Sequence, residues 1–141
     1  MEILDNIHPD YKSHIEEIVN GISRCAGLAE EYNVSPQEVL FMLHSLHNEN
    51  DISYQAAGNA VKSLLTALLS KEGAKKLEYL HVIRHRSFIQ FMTNLFNAIG
   101  EDSDKQISFK EIVGKYQYNN FLALVFPKMY FLKYELPNFS I

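Results

Sequence analysis

At 141 residues, the chain is long enough for one domain with a buried core, and 47% hydrophobic and 21% charged residues are ordinary for a globular protein. Six glycines and four prolines provide little turn material for a many-stranded β fold, and the lone Cys25 excludes an internal disulfide. The longest apolar run, Phe121–Phe126, has six residues. A membrane-spanning helix needs about 20, so no transmembrane helix is expected.

The net charge of −4 is unevenly distributed along the chain. Residues 1–51 carry ten acidic and two basic side chains, residues 52–100 carry two acidic and six basic ones, and residues 101–141 carry five of each. This asymmetry either steers a charged partner or reflects acidic and basic segments that face each other within the fold or across a dimer. We favour the second interpretation.

The first predicted helix begins at Pro9 and Asp10 and runs to about Tyr32. Its apolar residues recur at helical spacing, which predicts one buried stripe. The stripe consists of Ile15, Ile18, Ile22, Ala26 and Ala29, widened by Val19. Asn33 is a suitable residue to end this helix.

Two serine motifs have the pattern of a capping box, Ser35 with Glu38 and Ser108 with Glu111. In a capping box the serine hydroxyl accepts the N–H three residues on, and the glutamate reaches back to the N–H of the serine. The first box predicts a second helix, whose inward-facing residues are Val39, Leu43 and Leu46, supported by Leu40. The second box predicts another helix start at Ser108, where Ile107 and Ile112 are spaced as a hydrophobic staple.

Between the two boxes, the sequence predicts a third helix from Ser53 to a stop near Gly73 and a fourth from Ala74 to Ile99. Small residues near the start of the third helix permit close packing, so we expect it at the centre of the core. The fourth helix would be about 39 Å long at 1.5 Å per residue. Because a compact domain of this size does not need that length, either the helix breaks near Arg84–Arg86 or one end projects.

The last 24 residues, from Tyr118 to Ile141, are rich in aromatic side chains. Phe121–Phe126 fits either a helix or a strand, and Pro127 either kinks one helix or begins a new one. Residues 137–141 are expected to form an extended tail. Together the elements predict an all-α fold, a single domain over residues 1–141 with five or six helices in an irregular array or bundle.

Four of the six histidines form pairs at helical spacing, His44 with His47 and His81 with His85, and Glu78 precedes His81 by three residues. Each pair is a candidate for part of a metal site, because residues three or four apart share one helix face. Carboxylate-bridged di-iron bundles use Glu-x-x-His twice, whereas this chain contains it once, and arginines flank His85. A His/Glu metal site is therefore a minor alternative, and no cofactor is predicted.

The stretch from position 71 to position 86 is basic and offers candidates for contacts with nucleic-acid phosphates. These candidates are Lys71, Lys75, Lys76, Arg84 and Arg86. The two preceding helices, joined by a polar turn, have the layout of a helix-turn-helix motif. The acidic isoelectric point of about 5.8 argues against strong nucleic-acid binding, which stays a secondary hypothesis.

The sequence contains no phosphate loop, dinucleotide fingerprint or nucleophile elbow, and Cys25 lies on the apolar side of the first helix. The leading hypothesis is a non-enzymatic protein-interaction module, either an adaptor or regulator or a self-associating protein. It would use the fourth helix and the aromatic C-terminal segment, since Tyr and Phe are suited to interfaces. The candidate interface residues are Phe126, Met129, Tyr130, Phe131 and Tyr134.

The start of the sequence, Met1–Asp5, has neither a basic region nor an apolar run of signal-peptide length. A cytoplasmic location is therefore the default expectation, in agreement with the single cysteine.

Overall fold

The computed structural model describes the backbone of residues 9–133 and the side chains of residues 13–126. This part of the chain contains seven α-helices, one 3-10 turn and no β-strand. In chain order they are α1 (Pro9–Glu31), α2 (Pro36–Asn50), α3 (Tyr54–Leu69), α4 (Lys71–Lys76), the 3-10 turn (Glu78–Leu80), α5 (Phe88–Ile99), α6 (Ser103–Val113) and α7 (Lys115–Lys133). The all-α prediction is confirmed, although the number of helices exceeds the predicted five or six. None of the described helices is both long and apolar enough to cross a membrane.

Helix α3 lies at the centre of the array, as its small residues predicted. It contacts α1, α2, α4, α6 and α7, and the most extensive of these contacts is with α1. Gly21 of α1 and Gly58 of α3 lie at the crossing. A Cβ atom at Gly58 would lie 2.2 Å from the carbonyl oxygen of Gly21, and one at Gly21 would lie 2.5 Å from that of Tyr54. Only glycine permits the two backbones to approach this closely.

This close crossing also determines which face of α1 is buried. Among the side chains of this helix that the structure describes, the buried positions are Gly21, Cys25 and Ala29, spaced four residues apart. Val19 is 56% exposed and Ala26 is exposed, so the predicted stripe is wrong at these two residues. The prediction followed the helical spacing of apolar residues, whereas the buried face includes Gly21 and Cys25, each one position before a residue of the predicted stripe. Leu40 of α2, 45% exposed, also does not face the core as predicted.

Of the two helix starts predicted from capping boxes, the one at Ser35 is confirmed and the one at Ser108 is wrong. The Ser35 hydroxyl accepts the N–H of Glu38 at 3.2 Å, and Asn33 ends the preceding segment with a left-handed φ of 58°. Helix α6, however, begins after Asp102, whose carboxylate accepts the N–H groups of Asp104 and Lys105 at 2.9 and 3.1 Å. Aspartate caps helices as well as serine does, and Asp102 precedes Ser108 in the chain, so the helix begins at the earlier cap. Ser108 consequently lies inside the helix.

The predicted hydrophobic staple is not formed either. Ile107 lies within α6 and is 57% exposed, so it does not pack across a helix start.

The predicted fourth helix is divided into α4, the 3-10 turn and α5. Helix α4 begins after Ser70, whose hydroxyl accepts the N–H of Gly73 at 3.0 Å. The 3-10 turn ends at His81, which has a left-handed φ of 54°. Helix α5 begins after Ser87, whose hydroxyl accepts the N–H of Gln90 at 3.2 Å. Of the two predicted alternatives, a break near Arg84–Arg86 is therefore the one observed.

Helix α7 is continuous through Pro127, so Phe121–Phe126 is helical and the strand alternative is wrong. Phe121, Leu124 and Val125 are completely buried. The ring of Phe121 lies 4.9 Å from that of Phe109, centre to centre, which joins α7 to α6. The predicted tail at residues 137–141 lies outside the described residues.

Candidate functional site

Residues 81–87, called the connecting segment below, link the 3-10 turn to α5 without regular secondary structure. Arg84 attaches this segment to the C-terminal end of α1. One guanidinium nitrogen donates to the carbonyl oxygens of Tyr32 and Asn33, at 3.3 and 3.4 Å, and another donates to the carbonyl oxygen of His85. A cation at this end of a helix also complements the helix dipole.

The guanidinium of Arg84 packs against two aromatic rings. Its guanidinium carbon lies 5.5 Å from the ring centre of Phe88 and 5.6 Å from that of Phe91. Burial lowers the pKa of Arg84, and the negative charge of Glu38 opposes this shift. Arg84 is therefore a structural cation, held by carbonyl oxygens and rings of its own chain.

Glu38, in the first turn of α2, fixes the C-terminal end of the connecting segment at Ser87. Its side chain is 2% exposed, and Oε2 accepts the Ser87 hydroxyl at 3.0 Å and the N–H of Ile89 at 2.8 Å. The carboxylate thus caps α5. The capping box predicted that it would reach back to the N–H of Ser35, and this prediction is wrong. Near Ser35 its only described contact is with the hydroxyl, 3.4 Å from Oε1.

A groove of about 610 Å³ runs beside the connecting segment and is called the segment groove below. Its apolar floor consists of buried side chains from α3, the residue before the 3-10 turn and α5, namely Leu68, Leu77, Phe91 and Leu95. Its polar lining includes Asn33 and four ionisable residues, Glu31, Glu78, His81 and Arg84. The volume is within the range of about 300–1,000 Å³ that is typical of ligand pockets.

The connecting segment combines an exposed apolar side chain with backbone donors that have no described partner. Ile83 lines the groove and is 88% exposed. The backbone N–H groups of residues 82–86 have no hydrogen-bond partner among the described residues. Single exposed apolar residues are common on proteins, but here the exposed isoleucine and the unpaired donors occur together beside an apolar cleft.

The histidines predicted as metal ligands are divided between two places. The His47 ring stacks on the ring of Tyr54 with the centres 4.0 Å apart, and the His44 Nδ1 lies 3.0 Å from the Tyr54 hydroxyl. The His47 Nδ1 lies 2.6 Å from the carbonyl oxygen of Ile52, so this nitrogen carries a proton and donates. Burial, followed by the negative charge of Glu17, raises the pKa of Tyr54, which keeps the phenol neutral.

The second histidine pair is associated with the connecting segment. His81 and Glu78 line the segment groove, while the Nδ1 of His85 accepts the N–H of Ser87 at 2.9 Å. Within the described residues, no three His, Cys, Asp or Glu side chains come together as a metal site requires. The predicted ligands His44, His47, Glu78, His81 and His85 are thus not assembled into one site.

The basic residues predicted for nucleic acid do not share one role. Lys76 forms an ion pair of 3.1 Å with Glu72 one helical turn earlier. Arg84 is engaged with the end of α1, whereas Lys71, Lys75 and Arg86 are exposed. Of the five, only Arg84 lines the segment groove.

Of the five residues predicted to form an aromatic interface, the structure describes the side chain of one, Phe126. Phe126 is 51% exposed, and its ring lies edge-to-face with that of Phe96 at 5.6 Å. The side chains of Met129, Tyr130 and Phe131, and all of Tyr134, lie outside the described residues. For these four residues the interface stays a prediction.

Cys25 has the surroundings of a core residue. It is 1% exposed, and its Sγ lies 3.8 Å from the carbonyl oxygen of Gly21. Burial raises the pKa of the thiol, which disfavours the thiolate that a nucleophile requires.

No family model, curated protein or solved structure matches this chain.

Two features of the site were missed from the sequence. One had a local signal: Ser87 and Gln90 have the spacing of a capping box, which would have indicated the start of α5. The other, the groove itself, had none, because its floor and rim come from elements that are distant in the chain.

Proposed function

We propose that this protein is a protein-interaction module whose segment groove binds a peptide segment of a partner protein through a large apolar side chain. The observation that carries this proposal is the exposed connecting segment, with Ile83 at 88% exposure beside an apolar floor. Covering one such side chain contributes about 1.5–3 kcal/mol when burial is complete.

The unpaired backbone donors support a peptide as the ligand class. A docked chain offers carbonyl oxygens at regular intervals, and three residues whose N–H groups have no described partner, Val82, Ile83 and Arg84, line the groove. The contacts of Arg84 hold the middle of the connecting segment and those of Glu38 hold its C-terminal end, so little ordering is required on binding.

The proposal keeps part of the surface expected from the sequence. The connecting segment lies within the predicted fourth helix, although it is not helical. Phe126 and the aromatic residues after it in the sequence are a second candidate surface for binding a partner.

The test is selection of a displayed library of random peptides on the immobilised full chain, followed by fluorescence anisotropy with the enriched peptides. We expect enrichment of peptides with large apolar residues and about tenfold weaker binding to Ile83→Ser, since that loss corresponds to partial loss of one buried side chain. Tyr116→Ser is the matched control, because Tyr116 is 83% exposed and does not line the groove.

Two results would overturn the proposal. One is a selection that enriches no peptide over the bare support. The other is equal weakening by Ile83→Ser and Tyr116→Ser, which would place the binding surface elsewhere. Circular dichroism of both variants verifies that the fold is retained, as expected for such exposed side chains.

A further inference from the structure

The rim of the segment groove carries two carboxylates without partners. Glu31, at the end of α1, and Glu78, at the start of the 3-10 turn, both line the groove and are exposed. Among the described residues, neither side chain forms an ion pair or a hydrogen bond. Their charges are therefore available to a ligand at the mouth of the groove.

The one formal cation in the lining does not neutralise this pair. Arg84 directs its guanidinium to carbonyl oxygens, two of which belong to Tyr32 and Asn33, and lies against aromatic rings. The negative charge of Glu38 also acts on Arg84. The lining therefore holds the two carboxylates of Glu31 and Glu78 and one guanidinium that is already engaged, a formal excess of one negative charge.

The other basic residues of this region do not change this balance. Lys76 is paired with Glu72, and Lys71, Lys75 and Arg86 do not line the groove. His81 lines the groove and is exposed, and it is not counted among the formal charges.

We infer that the partner segment carries a lysine or arginine next to its large apolar side chain. The apolar side chain would lie on the floor formed by Leu77 and Phe91, and the cation would lie between Glu31 and Glu78. This inference rests on the proposed function, since it specifies the partner for the same groove. Charge complementarity of this kind selects partners and excludes acidic ones.

The experiment uses three fluorescently labelled peptides of equal length, in which leucine and phenylalanine alternate with lysine, with glutamine or with glutamate. We expect the lysine peptide to bind about three- to tenfold more tightly than the glutamine peptide, as exposed charge pairs contribute little individually. The preference should decrease as salt is added. In the double variant Glu31→Gln with Glu78→Gln, the two peptides should bind equally.

The control is Glu101→Gln with Glu111→Gln, two exposed carboxylates away from the groove, which should keep the preference for lysine. If the lysine and glutamine peptides bind the unchanged protein equally well, this inference fails while the groove remains a peptide site. A preference for the glutamate peptide overturns it in favour of an acidic partner. If no peptide binds, in this set or in the library selection, the proposed function fails as well.

Discussion

The Glu38 carboxylate connects two helices, α2 and α5, through residues that are 51 positions apart. Replacing Glu38 by glutamine keeps the shape of the side chain and removes its charge. Hydrogen bonds to charged groups contribute about 1.5–3 kcal/mol, so we expect Glu38→Gln to lower the free energy of unfolding by about 1–3 kcal/mol. Urea unfolding followed by far-ultraviolet circular dichroism measures this difference.

A matched control for this change is Glu101→Gln. Glu101 is exposed, and its side chain forms no described hydrogen bond or ion pair, so its replacement should change stability by less than about 0.5 kcal/mol. An equally small effect of Glu38→Gln would contradict the role of Glu38 as the cap of α5. Glu38→Ala should cost more, because it leaves the N–H of Ile89 without its acceptor.

Residues with nearby partners were predictable, and residues with distant partners were not. The Ser35 hydroxyl accepts an N–H three residues away, a contact that is encoded in the local sequence. The partners of Glu38 and Arg84 lie about fifty positions away, and no local pattern identifies them. Both side chains were therefore assigned to local roles, a capping box and a basic patch.

At the scale of elements, the crossing of α1 and α3 depends on two glycines. Gly58→Ala places a Cβ atom 2.2 Å from the carbonyl oxygen of Gly21, so the helices must move apart. Such overpacking costs about 1–3 kcal/mol, and the helix propensity of alanine returns at most about 1 kcal/mol. We expect Gly58→Ala to lower the urea midpoint.

Gly27→Ala in α1 separates the two effects. A Cβ atom at Gly27 has no atom of another element within 4 Å, so this change should raise stability by up to about 1 kcal/mol through propensity alone. If Gly58→Ala also raises the urea midpoint, the helices do not approach as closely as the structure shows.

Helix starts were predicted best where a single capping signal was present, as at Ser53, whose hydroxyl accepts the N–H of Ala56 at 3.0 Å. At α6 two signals compete. Asp102 starts the helix and the later box at Ser108 falls inside it, so a complete local motif was misleading. Helical spacing alone did not reveal the break before Ser87, because apolar residues on both sides continue the same period.

For the whole molecule, the all-α fold followed from the spacing of apolar residues, whereas the segment groove did not. Its lining combines the end of α1, the end of α3, the 3-10 turn with the connecting segment, and α5. Which of these elements meet is decided by packing, including the choice of small residues at the contact between α1 and α3. A site assembled in this way has no sequence signature.

Acidic and basic residues are segregated along the chain. We expected the acidic first third and the basic middle of the chain to face each other, either within the fold or across a dimer. Among the described side chains, the one ion pair is between Lys76 and Glu72, both in the middle segment, and none joins the two segments. Between the two segments, the described attraction is that of the buried Glu38 carboxylate for Arg84, an interaction that salt screens little because it is removed from solvent.

Stability should consequently depend weakly on salt. Raising sodium chloride from about 0.05 M to about 0.5 M shortens the Debye length about threefold, and we expect the free energy of unfolding in urea to change by less than about 1 kcal/mol. Lys76→Gln, which removes the described ion pair, should cost at most about 0.5 kcal/mol. A salt-induced loss above about 2 kcal/mol would contradict this, because it would require strong attraction between the two segments. If that loss also varied with protein concentration, the attraction would act between two copies of the chain.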